Sequence, residues 1–182
     1  GFNAVTNYTE QYGFFGFKEK AGAEFFSFMF THPFIFIKLC FLRFIRYFSL
    51  IRPMGFWFYQ TGIGQLIMVG SSLMWIALLF TTGFSGMVAA LREKKEIFYY
   101  LAALAFTSSL VLVPTVVQSR YRFQIYPILA IFGGYFIVNY FANGHRFKKI
   151  ILVVFAFLAL ISFIDVAYFW STVESRLRSL IF

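Results

Sequence analysis

Charge is what this chain has least of. Only 13% of its 182 residues are Asp, Glu, Lys or Arg, about half of what a soluble domain carries. Acidic groups are scarcer than basic ones, seven against sixteen, and no two carboxylates lie close in sequence outside a charged turn at 92–96. That argues against a paired-carboxylate catalytic site. Cysteine is nearly absent: Cys40 stands alone, which excludes an internal disulfide and a thiolate metal site. His32 and His145 are too far apart in sequence to suggest a metal cluster by spacing. The opening residues show no signal-peptide pattern. They are polar and Gly-rich, and the chain reads as a piece of a longer protein that begins inside an extramembrane loop.

Apolar side chains take the place of charge. The chain is 60% hydrophobic and 24% aromatic, with a mean hydropathy of +0.76, well above soluble norms. This composition specifies an integral membrane protein. The net charge of +9 does not point to nucleic acid. The basic residues sit at the ends of apolar runs or along one amphipathic stretch, where lipid phosphates are the nearest partners.

The expected fold is all-α: a polytopic membrane protein of about four transmembrane helices preceded by an amphipathic interfacial helix. Residues 1–22 read as the remnant of an extracytoplasmic loop, punctuated by Gly13, Gly16 and Gly22. Asn7-Tyr8-Thr9 matches the glycosylation acceptor pattern, a triplet common by chance. Residues 23–52 read as a juxtamembrane unit with His32-Pro33 marking a helix start. On a helical wheel Lys38, Arg43, Arg46 and Arg52 share one side and Phe36, Ile37, Phe41, Phe44 and Phe48 the other. Burying Lys38, Arg43 and Arg46 in a span would cost roughly 8–10 kcal/mol against about 4–8 gained from apolar residues. An in-plane interfacial helix is therefore preferred.

Four apolar runs follow, at 66–90, 97–117, 123–142 and 150–170, within a transmembrane bundle 66–170. Each has about the 20 residues needed to cross the hydrocarbon core. Trp57, Tyr59, Tyr99, Tyr100, Tyr140, Tyr168 and Trp170 lie near their ends, as interfacial aromatics do. The short turns 92–96 and 143–149 carry three Lys or Arg each, so the positive-inside rule makes them cytoplasmic. Residues 34–52, the Ser119-Arg-Tyr-Arg122 segment and a tail at 171–182 are then extracytoplasmic. A count over all basic residues pulls the other way, because that face also holds Arg176 and Arg178.

Two constellations stand out. Arg120 and Arg122 flank Tyr121 at the mouth of a span, where arginine is costly. They read either as anchors snorkelling to headgroups or as a clamp for an anionic ligand, with Gln124 and Tyr126 as neutral donors beside them. Asp165 is the lone acid within a span. It is placed near the depth of those arginines and reads as one half of a structural ion pair, with ligand binding as the alternative. Gly62-Ile-Gly64 and Gly83-Phe-Ser-Gly86 are wrongly placed for a phosphate loop and suit close helix approach. There is no nucleophile–base pair.

The segment SRYRFQIYPILAIFGGY resembles the late motif of the GT-C glycosyltransferases that use a polyprenyl-phosphate sugar, in particular the protein O-mannosyltransferase and aminoarabinose-transferase-like families. Arg120, Tyr121, Arg122 and Pro127 match that motif, and Gln124 stands where its first proline is usual. HPFIFIKLCFLRFIRYF also resembles these families' His-Pro followed by an amphipathic juxtamembrane helix. The resemblance covers roughly residues 23–142. It implies transfer of a sugar from a polyprenyl-phosphate carrier to an extracytoplasmic acceptor, with Arg120, Arg122, Tyr121 and Tyr126 toward the lipid phosphate. It also implies that the catalytic acid, and any divalent metal, belong to an amino-terminal half not contained in these residues; no cofactor is evident here. Expected partners are the lipid-linked sugar, membrane lipids and that remainder, in a bacterial cytoplasmic membrane rather than the endoplasmic reticulum. The competing reading is a non-catalytic membrane subunit that binds anionic lipid headgroups.

Overall fold

The computed structural model describes residues 20–51, 62–115, 119–171 and 174, and the described residues are helical with no strand. The chain divides into two units, 1–40 and 41–182. In the first, α1 (Lys20–Thr31) and the start of α2 (Pro33–Phe48) meet at His32, where the helix direction turns by 108°. Pro33 opens α2, as expected of a residue that brings no N–H to a first turn. The His32 carbonyl accepts the amide of Phe36, so His32 caps α2 through its backbone. The single juxtamembrane helix expected over 23–52 is thus two helices. The second ends at Phe48, four residues early; Arg52, Trp57 and Tyr59 lie outside the described residues.

The second unit holds the last turns of α2, then α3 (Ile63–Leu91), α4 (Glu96–Thr115), a 3-10 helix (Ser119–Gln124) and α5 (Tyr126–Tyr168). Three helices are long and apolar enough to cross a membrane: Ile63–Leu91, Glu96–Pro114 and Phe147–Tyr168. The first limb of α5, Tyr126–Ala142, is a shorter apolar helix, because residues 123–125 of the expected third span belong to the 3-10 helix and a turn. Pro127 sits in the opening turn of α5, where its missing N–H breaks no bond.

α5 does not run straight. The ring centroids of Phe136 and Phe147 lie 5.8 Å apart, whereas eleven residues of straight helix would separate them by about 16 Å. At the far end, Ser162 bonds to Leu50 while Arg122, just before α5, bonds to Ser49. The helix therefore folds back on itself. Its second limb is the expected fourth span and its first a shorter apolar helix, and helical backbone continues through residues 143–149, where a loop was expected.

α3 runs parallel to the first limb of α5, and glycine sets their separation. A Cβ on Gly83 would lie 2.8 Å from both the Cβ and the carbonyl oxygen of Leu129, and one on Gly86 would overlap the carbonyl of Phe132. Gly133 faces Thr82 from the other side. Backbones this close gain dispersion contacts that lipid cannot replace. The close-approach reading of 83–86 thus holds. Gly62 and Gly64 have open space around them; Gly62 instead supplies a φ of +112° at the start of α3, a conformation that suits glycine.

At the opposite end, the turn between α3 and α4 is fastened to α5. Tyr135 donates to the Glu93 carboxylate, and Lys95 pairs with Glu93 at 3.2 Å. The hydrogen bond from Tyr135, then that from Lys95, holds the Glu93 carboxyl below its ordinary range.

Gly86→Ala should destabilise the protein by about 1–3 kcal/mol, the usual cost of overpacking, read as a lower thermal midpoint in detergent. Gly70→Ala in the same helix, where a Cβ meets nothing, should be neutral or stabilising.

Candidate functional site

The arginines converge on the end of the second unit where α2 stops, α4 stops and α5 starts. A helix leaves its last carbonyls without intrahelical donors, and hydrocarbon offers no replacement. Arginine side chains meet that need twice. Arg122 donates through Nε to the Tyr47 carbonyl at 2.6 Å and through a terminal nitrogen to the Ser49 carbonyl, covering the end of α2. Arg43 donates to the Pro114 carbonyl in the last turn of α4. In both places a cation also sits at the negative end of a helix dipole.

A serine hydroxyl ties the chain just past the α2 exit. The amide of Leu50 donates to the Ser162 hydroxyl at 2.8 Å, and that hydroxyl donates onward to the Leu158 carbonyl at 2.7 Å. Arg122 is only 1% exposed. Its guanidinium carbon lies 5.1 Å from the centre of the Phe80 ring, so the charge is desolvated against an aromatic face that attracts it. Arg46 sits 4.2 Å from the centre of the Phe169 ring, just past α5. Tyr47, Phe48, Phe80, Ile125 and Leu129 close the apolar floor.

Asp165 follows Ser162 by three residues, on the same face of α5, and is 2% exposed. Because Ser162 is bonded to Leu50 and Arg122 to the adjacent Ser49, Asp165 belongs to the same layer as Arg122. The Tyr126 hydroxyl is buried with no hydrogen-bond partner among the described residues, within electrostatic reach of Arg122 and Tyr47. Such a hydroxyl costs about 1–3 kcal/mol unless something bonds to it.

The expected site residues therefore fall into different places. Arg122, Tyr126 and Asp165 gather in one layer. Tyr121 is half-buried in the 3-10 helix, and the side chain of Arg120 lies outside the described residues, as do those of His145, Arg176 and Arg178. Arg122 is buried, and two of its bonds tie helices together. Sequence reasoning missed Ser49, Phe80, Pro114 and Ser162. Only Ser162 carried a signal, as a hydroxyl one turn before the lone acid of an apolar span. The carbonyl acceptors leave no trace in residue identity.

Compared with known proteins, the chain matches no family model, no curated protein and no solved structure.

Removing Arg122 leaves two carbonyls and the layer's charge balance uncompensated, so Arg122→Ala should cost about 3–5 kcal/mol, measured as a loss of thermal midpoint or of monodisperse protein. Arg122→Lys should recover part of it, since an ammonium cannot hold both carbonyls in a planar fork. In a double-mutant cycle, Arg122→Gln and Asp165→Asn should be non-additive by about 0.5–3 kcal/mol; strict additivity would separate the two side chains energetically.

Proposed function

We propose that this chain is the carboxy-terminal membrane part of a GT-C-type glycosyltransferase that moves a sugar from a polyprenyl-phosphate carrier to an extracytoplasmic acceptor. This part binds the carrier. The observation that carries the reading is the gathering of Arg43, Arg46 and Arg122 at one end of an apolar helix bundle, with the Tyr126 hydroxyl buried near Arg122 and lacking a hydrogen-bond partner among the described residues. A polyprenyl phosphate has the matching chemistry: an apolar tail for the helix faces and a dianionic head for guanidinium groups at the interface.

In this reading Arg122 is the fixed member. Its bonds to α2 set the position of Arg43 and Arg46, and Arg120 takes the phosphate. As the bond between sugar and phosphate breaks, negative charge grows on the carrier, and cations held in place before the reaction stabilise it without reorganising. The general base and acceptor pocket lie in other parts of the enzyme. A second reading, a non-catalytic subunit that binds anionic headgroups, draws support from Arg122 itself, whose bonds to the Tyr47 and Ser49 carbonyls serve the fold.

Lipid binding to the purified chain separates the two. Undecaprenyl phosphate should raise the thermal midpoint in detergent, whereas undecaprenol, which lacks the phosphate, should not. Arg120→Ala should weaken that binding about tenfold or more, in line with loss of one charge-assisted contact. Equal stabilisation by phosphatidylglycerol would favour the headgroup-binding subunit. Absence of any effect from either anionic lipid would overturn both readings.

A further inference from the structure

We propose that the bend between α1 and α2 is a membrane wedge that buries its apex in the headgroup–acyl boundary of one leaflet. The proposal concerns residues 20–40 and stands whether or not the chain transfers sugar.

Between Glu24 and Lys38 the sequence contains no Asp, Glu, Lys or Arg, and six of the thirteen residues are phenylalanine. His32, at the bend, lies near the middle of that run. The two legs are one packed piece: the ring of Phe25 on α1 meets that of Phe36 on α2 edge-on, with centroids 5.6 Å apart. Rings that close the inside of the bend leave the outside to their neighbours. Phe30 and Phe34, on either side of His32, are 77% and 86% exposed, and Phe26, Ile35 and Ile37 are more than half exposed. An apolar apex this open does not suit water.

Three features identify a lipid surface as what covers it. The first is depth. The leg from Glu24 to Thr31 is about 10 Å long, and two such legs meeting at the observed angle reach about 8 Å from the charged ends to the tip. That matches the 5–10 Å to which interfacial helices sink, and it is far short of a crossing. The second is charge placement: Glu24 and Lys38 are exposed and lie on opposite legs, at the level where headgroups and water begin. The third is that the hydroxyl and the amide at the apex are already engaged. The Thr31 hydroxyl donates to the Ser27 carbonyl at 2.7 Å, the His32 amide to the Phe28 carbonyl at 2.9 Å, and the imidazole lies against the Phe28 ring. Pro33 has no N–H to satisfy. Apart from His32 and Thr31, the exposed side chains next to the bend are hydrocarbon: Phe30, Pro33, Phe34 and Ile35.

Single-cysteine depth measurements test this directly. In a Cys40→Ser background, Phe30→Cys, Phe34→Cys and, as a reference, Glu24→Cys would each carry an environment-sensitive fluorophore, with the protein reconstituted into phosphatidylcholine vesicles. At 30 and 34 the emission should shift to the blue. Quenching by a spin label high on the acyl chain should exceed that at 24 about threefold, while iodide should reach 24 and not the other two. Iodide quenching at 30 and 34 as strong as at 24 would overturn the wedge. Protection of both positions from iodide and from the lipid spin label alike would also overturn it, by showing that protein covers the apex.

Discussion

The arrangement of the second unit depends on what happens to backbone carbonyls where helices end next to lipid. Each helix terminus exposes acceptors that water would satisfy in a soluble protein. Here the ends of α2 and α4 receive guanidinium groups from elsewhere in the chain, Arg122 from the 3-10 helix before α5 and Arg43 from α2. The bonds run in a circuit: the 3-10 helix holds α2, α2 holds α4, and Ser162 on the returning limb of α5 holds the exit of α2 again. A fixed fork of donors makes arginine suited to this work, because one side chain can serve two carbonyls with little further loss of freedom.

This dependence recasts the cost of arginine near hydrocarbon. Placed on a lone helix, each guanidinium would be a penalty of a few kcal/mol. Placed over a helix end it removes a comparable penalty from the backbone, since a carbonyl without a donor is itself costly there. Aromatic faces reduce what remains: Phe80 under Arg122 and Phe169 under Arg46 give the charge an electrostatic partner without adding a second ion. The abundance of phenylalanine at this end therefore has a local rationale that composition alone did not provide.

Helix content and the location of the apolar spans were readable from the sequence because both follow from long runs of residue type, and lipid allows few alternatives to a helix. The close approach at Gly83 and Gly86 was readable for the same reason: small residues one turn apart leave a groove whatever the partner. The exit of α2 was not. Its geometry depends on carbonyl oxygens of Tyr47, Ser49 and Pro114, which every residue has, and on partners 71 to 112 positions away. The reversal of α5 was legible as a change of direction but not as continuous helix, since the Asn-Gly pair at 143–144 is a turn signal that the helical backbone overrides.

The structural tie at the end of α2 also fixes the approach to α5. In the SRYR segment the two arginines are separated by a single residue of a 3-10 helix, with about three residues per turn. Arg122 in that segment is directed inward onto α2. Its two bonds fix the segment to the bundle, so the chain entering α5 is ordered by the same contacts that close the end of α2. Tyr121 between the two arginines completes the turn, and Pro127 starts α5 without demanding a donor from the crowded layer beneath.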